Sequence, residues 1–257
     1  MTNSFVQTKN WQRFQDGLRG LNTRGAEECR LVVIDGKPGL GKTTILSRWA
    51  VQERCVYLRA KSEWTPYWLL GEILTECQEA LPHGQEKRMN AVLATLSRQA
   101  QSADMAKRQF AVVIDEADHV AKKASMVELI RDITDLAAVP VILVGMGTIR
   151  DQLKRFPQVS SRVSRYVGFR PADVDDVRRF LNERCRVKIA DDLVYFVHKA
   201  TGGYNRELME AIVSLDEVAM RNPPADPEIG LTLAEMDGRQ LINDRATSQP
   251  IIVRGAV

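Results

Sequence analysis

The sequence lacks any long apolar run. The longest is the twelve residues from Leu136 to Gly147, well short of the roughly 20 that a membrane-spanning helix needs. With 27% charged and 44% hydrophobic residues, a soluble chain with no membrane partner is expected. The opening MTNSFVQTKNWQRF contains no apolar stretch ending in a small-residue cleavage site, so no secretion signal is expected. Cysteine is scarce and scattered, at Cys29, Cys55, Cys77 and Cys185. No pair has the CxxC spacing of a zinc or redox site, and reduced thiols in a cytoplasm follow. Repeats and low-complexity blocks are absent. Strong net charge is absent too: a formal +3 permits contact with nucleic acid without arguing for it. The 257 residues suffice for one large domain, or one with a small appendage.

What is present is alternation. LVVID (31–35), CVYLRA (55–60), FAVVID (110–115) and VPVILVG (139–145) are continuous apolar runs, as parallel strands covered on both faces require, with RYVGF (165–169) as a fifth. Segments of helical period separate them, one opened by Thr65-Pro66 as cap and first-turn proline. From Pro171 strand signals stop and helical stretches follow, around 174–184, 191–199 and 206–218, punctuated by Gly202 and Gly203. The expected layout is an α/β core over residues 1–170, a small helical lid over 171–218 and a tail over 219–257. The tail, rich in Pro, Asp, Asn and Gly, reads as flexible or as an arm docking on a neighbour through Ile251, Ile252 and Val253.

The first run leads into Gly36-Lys37-Pro38-Gly39-Leu40-Gly41-Lys42-Thr43-Thr44, which fits the G-x-x-x-x-G-K-[ST] phosphate loop, with a strand before it and a helix after it. Glycines let backbone N–H groups turn toward phosphate oxygens, Lys42 supplies a point charge, and the helix N-terminus adds its dipole. ATP and Mg²⁺ are the implied cofactors, with Thr43 as a metal ligand. The run FAVVID delivers Asp115 and Glu116 to the C-terminal edge of the sheet, where ligands bind in such folds. There Asp115 would reach the metal through water, and Glu116 would orient or deprotonate the attacking water. Asp115-Glu116-Ala117-Asp118 also spells a helicase box, but residues 171–257 are too few for a second motor domain.

This order of signals resembles the AAA+ ATPases over residues 5–217. The fold implied is a P-loop three-layer αβα core with a parallel sheet and a helical lid. The resemblance assigns Thr148, after the strand VPVILVG, to the sensor-1 position, where Asn is common. If Thr148 is not competent there, hydrolysis is slow. In VSSRVSRY it assigns Arg162 as the arginine finger that reaches an adjacent subunit's nucleotide, with Arg155 and Arg165 as alternatives. In TGGYNRELMEAI it places Arg206 over the nucleotide of its own subunit. Within this family SFVQTKNWQRFQDGLRGL and VYLRAKSEWTPYWLLGEIL are similar to the ATPases of transposition, the phage Mu B, TniB and TnsC group. That likeness implies a homo-oligomer, as a helical filament or a ring, that coats double-stranded DNA without strong sequence preference and delivers it to a transposase.

Lys61, Lys87, Arg88, Lys107, Arg108, Lys122 and Lys123 lie in the connections around the second and third strands and are the candidate DNA contacts. Trp64, Tyr67 and Trp68 fall at helical spacing that suits core packing. A helicase loader or replication initiator would share the nucleotide motifs. A DNA-independent nucleotide switch for protein assembly is the reading from a different class.

Overall fold

A computed structural model describes residues 5–22 and 28–255. The first four residues of the opening and the last two of the tail lie outside the described residues. Contacts divide the chain into two units. One comprises Arg13–Pro38 and Lys42–Phe169; the other comprises the residues up to Gln12, Gly39–Gly41 and Arg170–Val257.

The first unit contains most of helix α1 (Lys9–Asn22), then β1 (Leu31–Asp35), α2 (Lys42–Glu53), β2 (Val56–Arg59), α3 (Pro66–Glu76), α4 (Gln85–Met105), β3 (Val112–Asp115), α5 (Ala124–Ala137), β4 (Val141–Val144), the short α6 (Ile149–Leu153) and α7 (Pro157–Ser160), and β5 (Val163–Gly168). The strands form one parallel sheet in the order β2-β3-β4-β1-β5. Every residue of β3 and β4 is buried, which explains their unbroken apolar sequence. Leu31, Val33, Leu58, Ile114 and Leu143 share one core with Leu69, Leu70 and Ile73 of α3, Leu96 of α4 and Ile130 of α5. The alternate strand residues Val32, Ile34, Val113 and Ile142 are equally buried and point to the opposite face. Local chemistry starts the helices where expected: the Thr65 side chain accepts from the Trp68 amide at 3.3 Å, and Pro66 fills the first turn of α3.

The second unit holds α8 (Val174–Arg184), α9 (Asp191–Thr201), α10 (Asn205–Arg221), and the antiparallel pair β6 (Gln240–Asn243) and β7 (Pro250–Ile252). Val177, Leu181, Leu193, Val197, Leu208 and Leu215 build its core. Two expectations are corrected here. Residues 222–255 are not a flexible tail, because Leu231, Met236, Leu241, Ile242 and Val253 are buried in that same core. Nor do residues 1–170 form a single body. The Asn10 side-chain amide donates to Arg170 O at 2.8 Å and its oxygen accepts from Arg170 N at 3.0 Å, while the Lys9 amide donates to the Asp176 carboxylate. That carboxylate is 3% exposed, and burial pushes its pKa up. Among the described residues no helix is long and apolar enough to cross a membrane.

Candidate nucleotide-binding site

Asp35 ends β1, and the chain turns through residues 36–41 into α2 at Lys42. Gly39 and Gly41 adopt φ of +87° and +80°, a backbone region that L side chains rarely enter. The turn leaves the first amides of α2 without helical partners, which is the arrangement that binds phosphate. Lys42 is only 8% exposed, and its ammonium donates to Gly36 O at 2.5 Å and Lys37 O at 2.9 Å. Burial pushes its pKa down, against the pull of Asp115, Asp35 and Asp118. Gly36 and Leu40 lie partly or wholly buried, while Lys37, Pro38, Thr43 and Thr44 are exposed.

Parallel pairing brings the ends of β1, β4, β3 and β2 to the edge of the sheet that this loop follows. Asp115, 3% exposed at the end of β3, accepts at Oδ2 from Thr43 Oγ1 at 2.7 Å and from the Tyr57 hydroxyl at 2.8 Å. Its Oδ1 accepts from the Glu116 amide at 2.8 Å. Desolvation and the Asp115 charge push the Tyr57 phenol far up, so it remains a neutral donor. Magnesium takes oxygen ligands at about 2.0–2.1 Å in an octahedron, which sets adjacent ligands about 2.9 Å apart. The Thr43–Asp115 spacing fits one such edge, directly or through water. Thr43 and Asp115 would hold the ion, which would supply charge neutralisation to the phosphates.

Glu116 is a non-glycine residue in the left-handed region, φ 54° and ψ 36°. Such conformations persist where surrounding structure enforces them; here the Asp115 carboxylate holds the Glu116 amide. Its side chain does not stand free. Oε1 accepts from Arg59 Nη2 at 2.5 Å, and Oε2 lies 3.8 Å from His119 Nε2. Thr148 is similarly committed, since its hydroxyl donates to Asp118 Oδ1 at 2.9 Å and accepts from Gln152 at 3.0 Å. Asp118 also accepts from the Met146 amide at 2.6 Å. Asp118 therefore braces the end of β4.

Arg162 immediately precedes β5, whose Val163 is registered with Leu31, the first residue of β1. It thus sits at the edge of the sheet opposite the phosphate loop, about 16 Å away along β1, and it pairs with Asp135 at 3.3 Å. Arg155 and Arg165 are exposed. In the second unit Arg206 is exposed in the first turn of α10, and its side chain makes no hydrogen bond or ion pair among the described residues. Its neighbours are the ones that meet the loop tip: the Asn205 amide donates to Gly39 O at 2.8 Å, and a side chain at Gly41 would collide with that of Asn205.

A family model described as an AAA domain matches residues 24–153, just over half of the chain. The chain belongs to the AAA domain family. Solved structures agree on the fold. Cdc6p from Pyrobaculum aerophilum is 19% identical, with a TM-score of 0.59 over 86% of this chain and 65% of that one. The Aeropyrum pernix ORC2 protein, solved as ADPNP-ADP complexes, is 14% identical, with a TM-score of 0.60 over 86% and 66%. The ORC1 protein of the same organism, solved in complex with DNA, is 19% identical, with a TM-score of 0.55 over 87% and 63%. The chain spans about two thirds of the length of these proteins. No curated protein matches the sequence.

In this AAA domain the seven candidate DNA residues do not form one cluster. Helix α4 has 21 residues, about 30 Å of rise, and carries the chain across the sheet. Lys87 and Arg88 at its start lie by α3, since Arg88 donates to Tyr67 O at 3.1 Å. Lys107 and Arg108 follow its end and precede β3, so they lie at the opposite edge. Arg108 is also occupied, donating to Glu53 O at 2.5 Å. Lys123 spans Ser62 O at 2.5 Å and Trp64 O at 2.9 Å, which makes it a loop brace; Lys122 is exposed. Trp64 is buried, but Tyr67 and Trp68 are 38% and 41% exposed. Arg88 stacks on Tyr67 at 3.7 Å and Lys61 lies 5.4 Å from the Trp68 ring centre. The loop-edge surface is therefore Lys61, Tyr67, Trp68, Lys87, Arg88 and Lys122. Sequence reasoning missed Tyr57 and Arg59, which join the site because β2 pairs with β3 and sets Arg59 opposite Asp115.

Proposed function

We propose that this chain is an ATP- and Mg²⁺-dependent DNA-binding ATPase that assembles on duplex DNA as its nucleotide state directs. The observation that carries the ATPase reading is the Thr43–Asp115 hydrogen bond beside buried Lys42, with Glu116 one residue on. Bound ATP and magnesium supply the scissile phosphoanhydride and its charge neutralisation. Lys42 and the amides of α2 hold the phosphates, Thr43 and Asp115 hold the metal, and Glu116 accepts a proton from the attacking water. Slow turnover agrees with a Glu116 paired to Arg59 and a Thr148 hydroxyl committed to Asp118. Because Arg162 stands at the far edge from its own loop, it suits service to the nucleotide of a neighbouring subunit. DNA binding rests on the loop-edge cations and aromatics, whose phosphate contacts read no base edges and weaken with salt.

For the client, the likeness in fold to Cdc6 and ORC proteins, one of them solved with DNA, favours a loader or initiator of a DNA-acting complex. Delivery of target DNA to a transposase is the second reading, and the sequence similarity of residues 4–21 and 56–74 to transposition ATPases favours it. The test of the common core is a pair of variants. Lys42→Ala is expected to lose ATP binding, since it removes ground-state phosphate contacts. Glu116→Gln keeps binding and loses about 10²–10⁴ in single-turnover rate. Equal loss of binding in both variants would refute these roles. Stimulation of turnover by duplex DNA separates the DNA-binding reading from a DNA-independent switch.

A further inference from the structure

The β6–β7 hairpin carries a charged residue to the tip of the phosphate loop. Its turn is built around Asp244, whose carboxylate accepts from the Ala246 amide at 2.9 Å, the Thr247 amide at 2.7 Å and the Thr247 hydroxyl at 2.9 Å. The Asp244 amide donates to Gln249 O at 2.7 Å. An aspartate bonded ahead along its own backbone fixes a turn, and Leu241, Ile242 and Val253 anchor both arms of the hairpin in the lid core. Arg245, the first residue of this rigid turn, stacks on the Tyr204 ring at 4.2 Å and pairs with Glu207 Oε1 at 3.2 Å. Its Nη1 lies only 3.1 Å from where a Cβ on Gly39 would stand. All of these groups belong to one unit of the fold.

Glu207 is the second half of the observation. It is 8% exposed, its Oε2 is buried and makes no hydrogen bond, and that oxygen is 3.8 Å from the same Cβ position on Gly39. A carboxylate held there opposes an arriving phosphate, and the guanidinium beside it offsets that charge. Guanidinium presents five donors in a fork that matches phosphate oxygens. We propose that Arg245 is a further ligand for the nucleotide's phosphates, held in reserve by Glu207 and exchanged from carboxylate to phosphate when the loop fills. The proposal rests on the nucleotide-binding reading above. It gives the C-terminal hairpin a role at the loop tip Gly39–Gly41, and it accounts for a buried acid beside that tip.

The test is equilibrium binding of ATPγS to the full chain and four variants, with thermal unfolding recorded for each. Arg245→Ala is expected to weaken binding by about tenfold or more, since a charge-assisted bond is lost. Glu207→Gln is expected to tighten binding by about two- to fivefold, since it removes the competing ion pair. The double variant should match Arg245→Ala alone. A purely structural ion pair makes the opposite forecast for Glu207→Gln, which would then loosen the lid and weaken binding or leave it unchanged; either result overturns the proposal. Lys42→Ala separates the two levels. Wild type that binds no ATPγS, or binds it as Lys42→Ala does, sinks the nucleotide-binding reading itself. Lys42-dependent binding with no gain from Glu207→Gln sinks only the role of Arg245.

Discussion

Replacing Tyr57 by Phe tests whether the acidic centre is built as described. The phenol is one of three donors to Asp115, with Thr43 Oγ1 and the Glu116 amide, and the carboxylate they serve is 3% exposed. Tyr57→Phe keeps the ring and removes only that donor. A hydrogen bond to a charged group contributes about 1.5–3 kcal/mol. At about 2–4 °C per kcal/mol for a chain of this size, the unfolding midpoint should fall by about 3–12 °C. Thr43 and the phenol share the same oxygen, so the loss leaves the metal-facing hydroxyl in place. Affinity for ATPγS in Mg²⁺ should therefore change by less than about threefold. Differential scanning calorimetry and a nucleotide titration on the same preparation measure both. A midpoint within about 1 °C of wild type would show that the phenol does not support Asp115. Lost nucleotide affinity at unchanged stability would make Tyr57 a ligand-binding group and refute the division of roles.

Arg59→Ala frees Glu116 from its ion pair and should raise steady-state ATP turnover by about two- to fivefold; a fall in turnover at constant affinity would mean that Arg59 itself serves the reaction. Arg162→Ala should bind ATP yet hydrolyse it poorly. Mixing it with Glu116→Gln subunits that keep Arg162 should restore turnover, and no recovery at any ratio despite co-assembly would remove the trans assignment. Burial pushes the thiols of Cys55 and Cys185 up to about 12 and that of Cys77 to about 11. Raised folded values mean that their contribution to stability is complete below about pH 9 and is lost as pH climbs toward 11–12. Alkylation at pH 8 should accordingly be slow at buried Cys185 and slowed at half-buried Cys55 and Cys77 until the chain is unfolded, and fast labelling of native Cys185 would contradict its burial. Leu241→Ala should destabilise the lid by about 2–5 kcal/mol, read by chemical denaturation, whereas an unchanged transition would return the hairpin to the status of a loose tail.

The nucleotide site was legible where its chemistry is local. The glycines, Lys42 and Thr43 are consecutive, and Asp115 is announced by its own apolar strand. The partners that restrain this site were not legible, because they depend on register. Arg59 reaches Glu116 only because β2 and β3 pair with Arg59 opposite Asp115. The hairpin escaped notice because its strands are four and three residues long, too short to show alternation. The buried residues in and before it, Leu231, Met236, Leu241 and Val253, are spaced among turns. The basic residues looked like one group because α4 reads as a simple connection, yet its length separates Lys87 from Lys107. Lys123 looked free in sequence, and only the placement of the Ser62 and Trp64 carbonyls shows that it is occupied.

The central claim is that nucleotide state governs assembly on DNA. Its most direct test is the affinity of the full chain for a fluorescent duplex of arbitrary sequence, titrated by anisotropy in Mg²⁺ with ATPγS, with ADP and without nucleotide, across a range of salt. The account predicts tight binding with ATPγS, weak binding in the other two states, little dependence on duplex sequence, and a steep loss of affinity with salt. Equal affinity in all three nucleotide states, or no binding in any, would contradict it.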